Sequence, residues 1–331
     1  MKKALILGVT GQDGSYLADI LLEKGYEVHG MLRRSATGNT RNIDHLIENP
    51  EILNRRFFLS RGDLADPTSL YRIIHSTRPQ EIYNEADQDH VTWSYDMTGY
   101  SADITGAAVA RVLEIIRQID PAIRFFQPCS SNMFGKAASA VQNEETPFNP
   151  QSPYACAKAM AFYLVRYYRD AFGMFASNAI LYNHESPRRT PEYVTRKVTR
   201  SAARIACGKQ DKLKLGDLSA KIDWGYAREY MEAAWRMLQL DKPDDFVIAT
   251  GEAHTVKEWV DEAFAAVGLQ SDDYVTTDAA LFRPTYTSSL IGDITKARRA
   301  FGFQPKCKFR DLVKLMVEAD LEAEGSPRPG K

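Results

Sequence analysis

The stretch Ala4-Leu-Ile-Leu-Gly-Val-Thr-Gly-Gln-Asp-Gly14, continued by Ser15-Tyr-Leu-Ala-Asp-Ile-Leu-Leu-Glu-Lys-Gly25, decides the fold. The apolar run Ala4–Gly8 is strand-like, and it passes through glycines into Tyr16–Lys24, which has helical periodicity and is closed by Gly25 at a C-cap position. A tight turn in which the backbone approaches a pyrophosphate needs glycine, and the following helix presents its positive end there. An ordinary strand-to-helix turn would carry similar glycines. Placement at the first βα junction is what points to a dinucleotide.

Outward from this turn, apolar runs at Glu27–Leu32, Phe57–Leu59, Glu81–Asn84 and Ile123–Gln127 alternate with helical segments such as Ala102–Gln118. Pro67, Pro79 and Pro121 punctuate the connections. This alternation predicts an α/β fold, a Rossmann-type doubly wound parallel sheet with a smaller C-terminal α/β substrate lobe. The rhythm loosens after residue 185, giving an expected nucleotide-binding domain over 1–185, a substrate lobe over 186–325 with some chain crossing back, and a frayed tail over 326–331.

The 331 residues carry 42 Lys and Arg against 43 Asp and Glu, a net charge of −1, which argues against a nucleic-acid or anionic-membrane binder. No apolar run reaches the roughly 20 residues needed to span a bilayer, and the chain enters its first strand after two lysines, so neither leader nor anchor is expected. Cys129, Cys156, Cys207 and Cys307 form no CxxC pair, so no metal site is expected and a reducing cytoplasm fits best.

The second strand ends in Arg33-Arg34-Ser35 rather than in a carboxylate. An acidic residue there bonds the ribose 2′-hydroxyl of NAD, whereas arginine suits the 2′-phosphate, so NADP is expected over NAD. Two solvated surface arginines would read the same way. Asp63-Leu64, after the third strand, suits an adenine amine, and a helix N-cap Asp would look identical. Further on, Tyr154-Ala-Cys-Ala-Lys158 puts a phenol and an ammonium on one helical face. Such a lysine favours the phenolate and makes tyrosine a general base for an alcohol losing hydride. Ser130 or Ser131, beyond a strand, supplies a hydroxyl partner.

These residues resemble the extended short-chain dehydrogenases and, within them, the GDP-mannose 4,6-dehydratase family. The likeness runs through the glycine turn, Arg33-Arg-Ser35, Pro153-Tyr-Ala155, Asn183-His-Glu-Ser-Pro-Arg-Arg189, Val194-Thr-Arg-Lys197, Asp223-Trp-Gly225 and Arg283-Pro-Thr285. It implies an NADP-dependent enzyme acting on a GDP-sugar, assembled as a homo-oligomer. By the same resemblance Gly8, Thr10, Gly11, Gln12, Asp13 and Gly14 would hold the pyrophosphate, Arg33 the 2′-phosphate, and Asp63 and Leu64 the adenine. Tyr100, Lys158, His184 and Arg189 would complete the cofactor site, while Asn183, Lys197 and Arg283 would face the nucleotide-sugar.

The family's dehydration uses a carboxylate two positions after the catalytic hydroxyl, and this chain reads Ser130-Ser131-Asn132. Asparagine does not exchange protons at neutral pH. Where the family has roughly Asn-Leu-Ala-Ala-Gln-Ser-His-Val, this chain has Asn84-Glu-Ala-Asp-Gln-Asp-His-Val91, which adds Glu85, Asp87 and Asp89. Ile222, Tyr286 and Thr190 also depart from the family pattern. Asp89 or Asp87 could replace the missing proton carrier. Otherwise the enzyme would stop at C4 as an oxidase, reductase or epimerase of a GDP-hexose or GDP-heptose, or the chain would be a non-catalytic sugar-nucleotide binder.

Overall fold

The computed structural model describes residues 1–36, 38–278, 281 and 290–325. Among them seven strands form one sheet: β1 (Lys3–Leu7), β2 (Glu27–Leu32), β3 (Phe57–Arg61), β4 (Glu81–Asn84), β5 (Arg124–Ser130), β6 (Ala176–Leu181) and β7 (Phe246–Ile248). Their spatial order is β7-β6-β5-β4-β1-β2-β3, and every pairing is parallel. This is the doubly wound order, with the reversal between β1 and β4.

A sheet covered on both faces needs strands that are apolar throughout, and alternate residues then serve opposite layers. Leu5 and Leu7 pack with Leu70, Ile73, Val112 and Val165. These come from α2 (Pro67–Thr77), α3 (Ala108–Ile119) and α4 (Pro153–Phe172), while α1 (Gln12–Glu23) covers the opposite face. Ala4 and Ile6 face the other layer, with Leu17 and Leu21 of α1. That layer also holds Ala234 and Met237 of α6 (Ala227–Met237), so C-terminal chain returns to the sheet.

A separate core lies under the C-terminal half, where Val198, Trp259, Phe264, Leu312 and Met316 meet. They belong to α5 (Val194–Ala206), α7 (Val256–Ala265) and α8 (Phe309–Ala323). Arg196 of α5 and Asp320 of α8 form a buried ion pair at 2.9 Å inside it, and Thr199 donates to the same carboxylate at 2.8 Å. Part of the basic run after Pro187 is therefore structural. Among the described residues no helix is long and apolar enough to cross a membrane.

Asp245, just before β7, receives two hydrogen bonds of 2.9 Å from Arg169 of α4 and one of 2.9 Å from Asn178 of β6. Removing one partner of a buried pair leaves the others desolvated and unpaired. We expect Asp245→Ala to cost about 3–5 kcal/mol, read as a lower urea midpoint with an unchanged m-value.

Candidate active site

Site residues gather where β1, β4, β5 and β6 end, the carboxyl edge at which a doubly wound sheet opens its crevice. The cleft there is about 640 Å³, and its lining includes Arg33, Asp63, Gly8, Thr10–Asp13, Glu85–Asp89, Tyr154, Lys158, His184 and Arg189. Two close approaches account for the glycine turn. Gly8 has φ +81°, and a Cβ there would lie 2.6 Å from the Glu85 carbonyl oxygen; a Cβ on Gly14 would lie 2.4 Å from the Gly8 oxygen. Gly11 is the extended N-cap of α1, with no side-chain cap over the first-turn N–H groups. This bare helix end and glycine cradle fit a dinucleotide pyrophosphate.

Gln12 bolts the turn to the segment after β6. Its amide donates to the His184 carbonyl at 3.1 Å, and its own oxygen accepts from Ser186 at 2.8 Å. His184 faces Asp13 at 2.8 Å. Burial disfavours charge on both, yet each partner outweighs it, so the His184 pKa is raised and that of Asp13 is lowered. Asn42 donates to the carbonyls of Thr10 and Arg188, and Arg188 pairs with Asp19 at 2.7 Å.

At the other end Arg33 donates to the Tyr100 hydroxyl at 2.8 Å. Asp63 and Leu64 lie in the wall. The N-cap alternative for Asp63 is corrected: Asp66 caps α2, accepting from Thr68 and Ser69 N–H groups, while Asp63 accepts from Ala65 N at 2.9 Å. Arg34 and Ser35 are exposed and lie outside the cleft wall, as does Gly14, which is buried behind the turn.

Ser152 caps α4 with Pro153 in its first turn, which fixes Tyr154 and Lys158 on one face at the helix start. The strand β5 runs further than its apolar pattern and ends on Ser130. Ser130 Oγ accepts from the backbone N and the Nδ2 of Asn132, each at 3.2 Å. A hydroxyl has two lone pairs and one hydrogen, so Ser130 is left as a donor, and its hydrogen bond to Tyr154 favours the phenolate. Ser130 and Asn132 do not themselves line the cleft.

Lys158 departs from the simple tuning role. Its Nζ is 2.6 Å from Asp87 Oδ2 and donates to the Pro128 carbonyl at 2.7 Å, and it lies 5.7 Å from the Tyr154 ring centre. Burial pushes the Tyr154 phenol up; Lys158 opposes this, Asp87 adds to it, and the result is about 12. Tyr154 is thus a protonated phenol at neutral pH, not a phenolate poised near neutrality. Burial also drives the Glu85 pKa well up, helped by the Asp13 charge, and its buried Oε1 has no hydrogen-bond partner. Asp89 faces solvent and stands 4.0 Å from Arg189, whose guanidinium covers the Tyr193 ring at 3.4 Å.

The structure leaves some expected residues elsewhere. Asn183 sits on a short strand, Asn183–Glu185, outside the wall. Lys197 donates to the Lys214 carbonyl at 2.8 Å on the second lobe, away from the cleft wall. Arg283 and Tyr286 lie outside the described residues. Trp93, Met97 and Ile104 line the cleft and were not expected. Their signal in the sequence was position alone, in the stretch that follows the β4 carboxyl end.

A family model described as GDP-mannose 4,6 dehydratase matches residues 5–316. GDP-mannose 4,6 dehydratase 1 of Arabidopsis thaliana is 49% identical over 326 residues, covering 97% of this chain and 90% of the relative. The dTDP-glucose 4,6-dehydratase DesIV from Streptomyces venezuelae, solved with NAD and TYD bound, superposes with TM-score 0.84 at 20% identity, covering 98% of each chain. RMD from Pseudomonas aeruginosa, solved with NADPH, gives TM-score 0.81 at 18% identity over 98% of this chain and 100% of that one.

The Asp13–His184 pair makes stability pH-dependent. A raised folded pKa on His184 means that its share of the pair's contribution is full below about 6.5, the unfolded value, and is lost as pH rises through the folded value. The Asp13 share is present above its ordinary range and lost as pH falls through its depressed value. The urea midpoint of the wild type should therefore drop as pH rises above about 6.5, and Asp13→Asn should flatten that slope.

Proposed function

The chain belongs to the GDP-mannose 4,6-dehydratase family, and on that premise we propose that it is an NADP-dependent nucleotide-sugar 4,6-dehydratase acting on a GDP-hexose. The observation that carries the reading is one cleft lined by the glycine cradle and by Tyr154 and Lys158, with Ser130 hydrogen-bonded to Tyr154.

Arg33, at the end of β2 and bonded to Tyr100, supports a 2′-phosphate and hence NADP over NAD. Residues Gly8 to Gly14 would hold the pyrophosphate, Asp63 and Leu64 the adenine, and Lys158 the nicotinamide ribose. When bound, the nicotinamide supplies the hydride acceptor and donor of the reaction. In its ionised form Tyr154 takes the proton of the sugar C4 hydroxyl, and Ser130 donates to the same oxygen. Asp89, open to solvent on the cleft wall, serves as the carboxylate that moves the C5 proton, because Asn132 cannot and Asp87 is held by Lys158. The lobe from 186 to 325 would hold the nucleotide-sugar over the cleft. A cytoplasmic homo-oligomer belongs to the same reading, with Met160, Tyr163 and Tyr167, exposed along α4, as the face a second copy would cover.

A second reading is favoured by the Asn132–Ser130 hydrogen bonds. They leave the C4 chemistry intact and supply no acid or base for elimination, as in a C4 oxidase, reductase or epimerase. Incubation with GDP-mannose, followed by product mass and absorbance at the reduced-cofactor band, separates the two. Loss of one water supports the dehydratase; unchanged sugar mass with inverted C4, or loss of two hydrogens with reduced cofactor, supports the second reading; binding without turnover supports neither.

Tyr154→Phe should lower turnover about 10²–10⁴-fold with folding intact. Asp89→Asn should suppress water loss while sparing C4 oxidation, and Asn132→Glu should raise water loss if the amide is what limits it. Both variants are read by the same mass assay.

A further inference from the structure

We propose that Asp87 is a positioning residue that sets the ionisation of Tyr154 by pairing with Lys158, shifting proton abstraction toward alkaline conditions. Tyr154 as the base rests on the reading above; the control of its ionisation does not.

The geometry is specific. Two of the three Lys158 hydrogens are directed within the protein, one to Pro128 O at 2.7 Å and one to Asp87 Oδ2 at 2.6 Å. The side chains are 4% and 15% exposed, so water screens the pair little. An isolated ammonium 5.7 Å from the phenol ring would favour the phenolate strongly. With a carboxylate on the same nitrogen the field at Tyr154 becomes that of a short dipole, which falls off faster than that of a single charge.

The surrounding groups do not restore the missing positive charge. Glu85 and Asp89, from the segment after β4, bring no cation, and neither does the buried Cys129 thiol of β5. From α1, Asp13 is committed to His184, and Arg189 is shared between Glu185 and Asp89. Asp87 is also held in place, because its neighbour Gln88 is anchored through both its backbone and its side chain. Gln88 N donates to Thr105 Oγ1 at 3.1 Å, its amide donates to the His90 carbonyl at 2.9 Å, and its oxygen accepts from Ser101 at 2.8 Å.

The test is an ultraviolet difference titration of tyrosinate in ligand-free protein, comparing wild type with Asp87→Asn and subtracting the same titration in the corresponding Tyr154→Phe backgrounds. The Tyr154 component should move about one to three pH units lower in Asp87→Asn, into a range where the fold is intact by circular dichroism. Asp87→Ala serves if the asparagine variant does not fold. An unmoved Tyr154 component overturns the proposal, including when Asp87→Asn merely lowers stability, which is what a structural role alone predicts. A single-turnover pH profile with GDP-mannose should show at least a roughly tenfold gain near pH 8 in Asp87→Asn. If the titration moves and neither protein turns over GDP-mannose, the positioning role stands and the substrate reading falls.

Discussion

Gln12 joins two parts of the chain that are 172 residues apart. Its amide and its oxygen are both spent on the segment that follows β6, so the glycine turn and the His184–Arg189 run form one wall instead of two independent loops. The glycines then fix how closely that wall approaches the end of β4, since a single added carbon on Gly8 or Gly14 would strike backbone. The rest of the cleft inherits its spacing from this arrangement. Tyr154 reaches it because Ser152 and Pro153 start α4 at the same edge.

The fold was legible because its signals are local. The strands β1 to β5 read as short apolar runs, and helix starts such as Pro153 carry turn chemistry that depends on one or two neighbouring residues, whereas β6 was not legible because buried Ser177 and Asn178 interrupt its apolar pattern. Strand ends were less legible where polarity rises: β5 continues through Gln127, Pro128 and Cys129 to Ser130, because buried partners satisfy its polar groups. The partners of the basic run after Pro187 were not legible, because Arg188 pairs with Asp19 and Arg196 with Asp320, residues far away in the sequence. Asp63 was ambiguous for the opposite reason, since two aspartates three residues apart both suit the start of α2 and only the hydrogen bonds of Asp66 decide between them.

The electrostatics of the cleft were the least legible part. Spacing alone placed Lys158 beside Tyr154, and it does stand there, but a pairwise motif says nothing about a third group arriving from another strand. Asp87 comes from the β4 end and takes the lysine's charge. Glu85 shows the same limit in another form: its residue type suggests an ordinary anion, while burial next to Asp13 and Asp87 raises its pKa well above the usual carboxylate range. A cleft suited to a polyphosphate thus tolerates its extra carboxylates by disfavouring the charge on one and pairing another.

The central place of β1 has a consequence for how the chain reaches its native state. Both neighbours of β1 must come from later sequence, β2 close behind it and β4 beyond an intervening strand and helix, and the edge strand β7 arrives only at Phe246. A nascent chain therefore carries its central apolar strand with one open edge until the β4 residues emerge, and it holds a half-walled cleft until Gln12 meets His184 and Ser186. Non-local parallel pairing of this kind is slow to form and exposes sticky surface while it forms, so the glycine turn is made first and becomes useful last.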